Sequence, residues 1–180
     1  MIRLFDLLFS ILGLILLLPI LILLWIIVLF ESGSPIFKQK RIGYNQKIFL
    51  LIKFRTMQVG TKSVATHEVN ESPITRFGYF LRRTKLDEVP QLLNVLKGDM
   101  SIVGPRPCLS NQKELIVERK KRGVFNFMPG ITGLAQISNI NMETPTLLAE
   151  TDMKMINKMN LYYYFFYILK TVSLIFKKRA

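Results

Sequence analysis

Residues 84–107, Thr-Lys-Leu-Asp-Glu-Val-Pro-Gln-Leu-Leu-Asn-Val-Leu-Lys-Gly-Asp-Met-Ser-Ile-Val-Gly-Pro-Arg-Pro, carry the pattern from which both fold and chemistry can be argued. Two adjacent carboxylates, Asp87 and Glu88, stand ahead of apolar residues at helical spacing, with Arg82, Arg83 and Lys85 just upstream. Pro90 fits a first helical turn, where its missing N–H is not needed and its fixed φ favours entry. Leu92, Leu93 and Leu96 then predict one buried apolar face, with Gln91 and Asn94 directed elsewhere. Gly98 ends the helix, and the turn Gly104-Pro105-Arg106-Pro107 returns a guanidinium towards its start. A helix N-terminus, paired acids and several arginines together suit a phosphate and a divalent cation. An ordinary capped helix with solvated charges accounts for the same residues.

Working outward, the 180 residues suit one domain with an appended membrane segment. The formal charge is +13, and Arg3 and Asp6 are the only charged residues through Phe30, so the surplus belongs wholly to residues 31–180. Such a surplus suits nucleic acid, anionic headgroups or phosphorylated substrates. One cysteine, Cys108, excludes an intramolecular disulfide, and one cysteine with one histidine cannot build a zinc site. Any metal would be held by oxygen.

Leu7 to Phe30 is uncharged and apolar, broken by Gly13 and Pro19, and is long enough to cross a hydrocarbon layer of ~30 Å. A secretory signal fits poorly, because the leading arginine is balanced by Asp6 and no Ala-x-Ala site follows. Pro19 favours a kink, so the helix either spans or dips into one leaflet and returns. Lys38, Lys40, Arg41 and Lys47 follow it, and both topologies place the remainder in the cytoplasm.

Residues 36–42 and 47–54 predict a hairpin about the turn Gly43-Tyr44-Asn45-Gln46. On its second strand Lys53 and Arg55 bracket Phe54, either as surface charges or with one cation aimed into the site. Gln58–Ser72 is polar and reads as a mobile loop, in which His67 is expected to be solvated. Pro73–Arg83 predicts a short helix burying Ile74, Phe77, Phe80 and Leu81. Residues 110–122 predict a polar helix whose cluster Glu118-Arg119-Lys120-Lys121-Arg122 is solvated or meets headgroups. Pro129-Gly130-Ile131-Thr132-Gly133 is a glycine-bearing loop, for a ligand or a simple turn. From Thr146 to Phe176 one helix is predicted. Its aromatic run Tyr162–Tyr167 and its basic fringe of Lys170, Lys177, Lys178 and Arg179 suit a membrane surface or a partner helix.

Taken together, these features resemble the bacterial sugar transferase family, the small monotopic phosphoglycosyl transferases. The resemblance is carried by Lys53-Phe54-Arg55-Thr56-Met57, Leu86-Asp87-Glu88-Val89-Pro90-Gln91-Leu92, Asn94-Val95-Leu96-Lys97-Gly98-Asp99-Met100-Ser101, Val103-Gly104-Pro105-Arg106-Pro107 and Pro129–Gly133. It implies transfer of a sugar-1-phosphate from a UDP-sugar to a polyprenyl (undecaprenyl) phosphate, with release of UMP, as the first membrane step of glycan synthesis. The transferred group is expected to be an N-acetylated amino sugar. The resemblance further implies Asp87 as nucleophile, Glu88 holding Mg²⁺, and Arg82, Arg106 and Lys53 binding phosphate. It favours the re-entrant helix, with Pro19 at the break. Leu18 stands where members can carry serine, Leu134 where tryptophan is common, and the region of Asp152 and Tyr164 departs from the usual pattern.

The expected architecture is therefore α+β. Residues 1–33 form a membrane-embedded helix. Residues 34–180 form a mainly helical catalytic domain with a short hairpin and amphipathic interfacial helices, on the cytoplasmic side of the bacterial inner membrane. Its partners are the donor, the lipid phosphate acceptor and the leaflet, and not nucleic acid. A non-catalytic basic protein binding anionic lipid or nucleic acid is the competing reading. A third is a coupling subunit of a glycan assembly complex.

Overall fold

A computed structural model describes residues 1–60 and 74–177, apart from the side chain of Phe176. Most of the loop expected over 58–72, with His67 and the Pro73 start of the next helix, lies outside the described residues, as do Lys178 and Arg179. The chain is mostly helical with two small sheets, as the α+β expectation requires.

Helix α1, Ile2–Ser32, is the one described helix long and apolar enough to cross a membrane, and it continues through Pro19. Its C-terminus is capped by Gly33 at φ 70°, whose N–H bonds the Leu29 carbonyl. Asp6, Ser10, Leu24 and Val28 are buried, and Gly13, Leu17 and Leu21 continue the same stripe at helical spacing. Ile15, Leu16, Leu18 and Leu23 point outward. Both ends are tied to the body. Arg3 donates to the carbonyls of Val95 (2.6 Å) and Met100 (3.1 Å), and Glu31 accepts from the Phe77 N–H at 3.1 Å.

Strands β1 (Ile36–Ile42) and β2 (Ile48–Phe54) form the expected antiparallel hairpin, with Ile36 opposite Phe54 and Ile42 opposite Ile48. The turn closes with Asn45 and Gln46 at φ 49° and 59°. Gln39 and Arg41 point inward from β1 while Lys38 and Lys40 point out, the period-2 alternation of a strand.

Helix α2 (Arg76–Thr84) is capped by Thr75, whose side chain accepts from the Gly78 N–H at 3.0 Å. Its buried face is Gly78, Leu81 and Thr84; Phe80, expected inside, is exposed and stacks on Phe77 at 5.4 Å. After α2 a 3₁₀ helix, Leu86–Gln91, contains Pro90, which therefore precedes helix α3 (Leu92–Lys97) rather than opening it. The inner face of α3 also differs from the expected one, with Leu92 and Leu96 only partly buried. Asn94 is fully buried, Gln91 and Val95 are buried, and Leu93 is 41 % exposed. The reason is hydrogen-bond demand: Asn94 accepts from the Ile52 N–H (3.0 Å) and donates to the Leu50 carbonyl (2.7 Å) and to Asp99 (3.1 Å), tying α3 to β2.

Strands β3 (Ser101–Val103) and β4 (Gly130–Thr132) pair in parallel. The stretch read as a ligand loop or turn at 129–133 is thus half of a sheet. Its glycine serves backbone approach: a Cβ at Gly130 would lie 2.0 Å from the Gly104 nitrogen. Helix α4 (Lys113–Lys121) lies between the two strands in the chain, and the short α5 (Leu134–Ile137) follows β4. The single helix expected from Thr146 to Phe176 is two, α6 (Pro145–Asn157) and α7 (Leu161–Lys177). Asn160 makes the break, its side chain accepting from the Tyr163 N–H at 3.0 Å in an N-cap. Tyr162 and Leu169 on α7 are exposed, while Phe165 packs edge-on against Phe5 of α1 at 5.3 Å.

Candidate active site

Lys85, at φ 61°, ends α2 in a left-handed turn and starts the 3₁₀ helix, so Asp87 and Glu88 fall in its first turn. Both are buried. Glu88 Oε1 accepts from Arg106 Nη2 at 2.8 Å and lies 3.9 Å from Lys85 Nζ. Asp87 Oδ1 is buried with no hydrogen-bond partner among the described residues. A buried carboxylate oxygen left unpartnered is costly, and is expected to be completed by a cation, a donor or a reacting centre.

Two further cations, Arg82 and Lys53, join Arg106 around the pair. Arg82 leaves the last turn of α2 and is fixed by a bond from Nε to Thr56 Oγ1 at 2.8 Å. Lys53 projects from β2 over the ring of Phe37, 5.4 Å from its centre. Arg106 arrives from the turn after β3. The five residues singled out from sequence, Lys53, Arg82, Asp87, Glu88 and Arg106, therefore belong to one charged cluster. Arg55 does not join it, because its guanidinium is bound to the Ser34 carbonyl at 2.8 Å. Arg83 is exposed at the end of α2.

The cluster drives its two acids apart. Burial pushes the Asp87 carboxyl up, helped by the charge of Glu88 and opposed by Lys53, Lys85 and Arg106, to about 6. Burial also pushes Glu88 up, but Arg106 and Lys85 outweigh it and hold this carboxyl down at about 2. Glu88 is thus a fixed anion, whereas Asp87 is a carboxylate that its surroundings stabilise poorly. Burial lowers Lys53 to about 8, with Asp87 opposing and Arg106 adding to the shift. The Arg106 guanidinium is held above its ordinary value, chiefly by Glu88.

Sequence reasoning missed several supports. Arg41 is buried, its value lowered to about 10 by burial and by Arg106, and it donates to Gln39 Oε1 (2.7 Å) and the Pro107 carbonyl (3.0 Å). Its signal was the alternation of β1. Arg119 is not part of a solvated cluster: it is buried on α4 and pairs with Asp152 of α6 at 2.7 Å. Its signal was the i,i+4 spacing from Leu115, the other buried residue of α4. The rest of that run is internally paired, Glu118 with Lys121 and Arg122, and Arg122 with Glu150.

No group of three or more His, Cys, Asp or Glu able to hold a metal occurs among the described residues. The available oxygen ligands at the cluster are the two adjacent carboxylates. That set suits Mg²⁺, which keeps several waters and commonly takes one or two carboxylates together with substrate phosphates.

The profile of the family described as bacterial sugar transferase matches residues 1–178. An undecaprenyl-phosphate galactose phosphotransferase of Salmonella typhimurium is 38 % identical over 159 residues, covering 77 % of this chain and 33 % of that protein. A UDP-glucose:undecaprenyl-phosphate glucose-1-phosphate transferase of Xanthomonas campestris is 41 % identical over 138 residues, covering 72 % of this chain and 28 % of the relative. The exopolysaccharide production protein ExoY of Sinorhizobium fredii is 39 % identical over 157 residues, covering 77 % and 69 % respectively. The chain thus spans about a third of the length of the first two relatives and over two thirds of ExoY.

Proposed function

The chain belongs to the bacterial sugar transferase family, and from that membership we propose that it moves a sugar-1-phosphate from a UDP-sugar to undecaprenyl phosphate through a covalent intermediate on Asp87. The observation that carries the reading is the buried, unpartnered oxygen of Asp87 beside a fixed anion and three cations.

Direct attack of one phosphate on a diphosphate brings anions together, and a carboxylate nucleophile divides the reaction into two displacements. Asp87 Oδ1 forms a bond to the phosphorus bearing the sugar, the bond from that phosphorus to UMP breaks, and UMP leaves. The undecaprenyl phosphate oxygen then attacks the same phosphorus, the bond to Asp87 breaks, and undecaprenyl diphosphate sugar departs with the carboxylate restored. Arg106 and Arg82 hold the transferring phosphoryl oxygens, and Lys53 adds a third positive contact. Glu88, kept ionised by Arg106 and Lys85, would hold Mg²⁺, and it orients Arg106 through their 2.8 Å bond. When bound, Mg²⁺ neutralises the diphosphate and eases departure of UMP.

The site lies at the cytoplasmic face of the inner membrane, with α1 embedded in one leaflet. Support comes from the ties at both ends of α1. Asp6 accepts from Ser101 Oγ, the Ile102 N–H and Tyr164 Oη at 2.9–3.0 Å, while Leu24 and Val28 pack on Phe54 and Leu81. Asp6 and Val28 are ~33 Å apart along a helix, more than a hydrocarbon core of ~30 Å. A spanning α1 would carry the two-stranded hairpin and its open edges through lipid, which cannot satisfy them. An α1 confined to one leaflet avoids this, although the helix runs unbroken through Pro19, where the re-entrant expectation put its break.

A basic headgroup-binding surface does not call for two buried acids, so the non-catalytic reading leaves the centre of the molecule unexplained. The test is release of UMP by the protein in detergent with undecaprenyl phosphate, Mg²⁺ and a panel of UDP-sugars. N-acetylated amino sugars are the expected donors; galactose and glucose are those in the relatives' names. Release with one donor, dependent on the lipid phosphate, is the expected result. No release with any donor would sink the proposal.

A further inference from the structure

The turn that presents Arg106 is held with unusual completeness. Every main-chain carbonyl from Gly104 to Cys108 accepts a hydrogen bond: from Gln136 Nε2 (3.4 Å), the Gly130 N–H (2.9 Å), Arg119 Nη1 (2.7 Å), Arg41 Nη1 (3.0 Å) and the Ile42 N–H (2.9 Å) in turn. Pro105 and Pro107 flank Arg106 and fix φ on either side of it. The direction in which its side chain leaves the backbone is therefore set by what holds the Arg106 peptide itself, and that is Arg119.

Arg119 is 1 % exposed. Its Nε and Nη2 both bond Asp152 Oδ2, at 3.0 and 2.7 Å, and Asp152 is itself fully buried. A buried ion pair is a poor way to pack α4 on α6, because desolvation offsets most of the attraction and apolar residues of like volume would serve. Beyond α4 and α6, Arg119 donates to the Arg106 carbonyl and also hydrogen-bonds the Cys108 thiol two residues on in the same turn. We infer that Arg119, oriented by Asp152, is a positioning residue that fixes Arg106 against the transferring phosphate. The inference rests on the assignment of Arg106 to that phosphate. Asp152 binds one edge of the guanidinium, leaving Nη1 directed at the carbonyl. Arg106 then starts from a fixed peptide and reaches Glu88 Oε1 at 2.8 Å. A displacement of about 1 Å at a group of this kind can lower a rate by up to ~10².

The test is a double-mutant cycle on the full chain in detergent, read as UMP release at saturating lipid phosphate, with a melting temperature for every variant. Arg119→Lys keeps the charge facing Asp152 but loses the fork that reaches both partners. It is expected to lower kcat about tenfold, with donor KM changed less than about twofold. In the Arg106→Ala background the same substitution is expected to have no further effect, because the group it positions is gone. Equal losses in both backgrounds, or full turnover by Arg119→Lys, would overturn the inference and leave Arg119 a packing residue. Should Arg119→Lys fail to fold, Asp152→Asn enters the same cycle under the same criteria. Undiminished turnover by Arg106→Ala alone would overturn the phosphate assignment first, and this inference with it.

Discussion

The polar interior of the protein and the outer surface of the helices that touch α1 obey opposite rules of burial. In that interior, charged and polar groups are inside: Asp87, Glu88, Arg41, Asn94 and Arg119 are all buried. On α1, and on α2, α3 and α7 that pack against it, apolar groups are outside: Leu16, Phe80, Leu93 and Leu169 are exposed. Two solvents, one aqueous and one hydrocarbon, would account for the contrast. A polar group can be buried when its hydrogen bonds are made internally, and the outward leucines are stable when their neighbour is hydrocarbon rather than water. Lipid on one side and a diphosphate on the other would make both choices favourable at once.

The contrast is broken most severely from inside. Arg106→Ala is expected to lower turnover by ~10²–10³, the usual loss for one charge-stabilising contact; UMP release near the wild-type rate would show that the buried charges are architectural. Next in size is Asn94→Leu, the conventional replacement of a buried polar residue by an apolar one. It strands the Ile52 N–H and the Leu50 carbonyl, so a loss of about 2–4 kcal/mol is expected in denaturation. An unchanged or raised melting temperature would mean that packing, not hydrogen bonding, sets the inner face of α3.

Acidity sharpens the comparison on a smaller scale. Lys53, lowered to about 8, is charged below that pH and loses its proton above it, so donor binding and turnover are expected to fall as pH rises through about 8. Lys53→Arg, which does not titrate there, is expected to lose that limb; a limb that persists in the arginine variant would assign it to another group. Asp87, raised to about 6, predicts the opposite limb, with activity falling as pH drops through about 6 and the nucleophile takes up a proton. The smallest effect belongs to the outer region. Leu93→Asn is expected to change folding stability by no more than about 0.5 kcal/mol while reducing co-sedimentation with lipid vesicles. Marked unfolding by this substitution would place Leu93 in a core that the present account does not give it.

How much of this was legible depended on distance along the chain. The hairpin could be read because period-2 alternation and a turn of Gly43 and Asn45 are local signals, and the acids with Arg82 because all lie within seven residues. Arg106 could be brought back towards them by the turn at 104–107, but choosing Lys53 over Arg55 on β2 rested on the family resemblance, since spacing alone does not separate the two. The β3–β4 pair was invisible as a pair. Each strand has three residues, and what unites them is a backbone contact between Gly104 and Gly130. Phe80 of α2 and Leu93 of α3 were misassigned for a different reason: periodicity locates an apolar stripe but does not say whether water, lipid or protein will cover it. Arg119 and Asp152 were obscured by composition, since a run of five charges reads as solvated until its second member is found paired 33 residues away.

The central claim is that Asp87 carries the sugar phosphate between donor and lipid. Intact-mass and peptide mass spectrometry of the protein incubated with its UDP-sugar and Mg²⁺, without lipid phosphate, tests it most directly. A mass increase equal to one sugar phosphate on the peptide containing Asp87, lost on adding undecaprenyl phosphate and absent in Asp87→Asn, is the result expected. The same adduct in Asp87→Asn, or turnover by the intact protein with no adduct on that peptide, would contradict it.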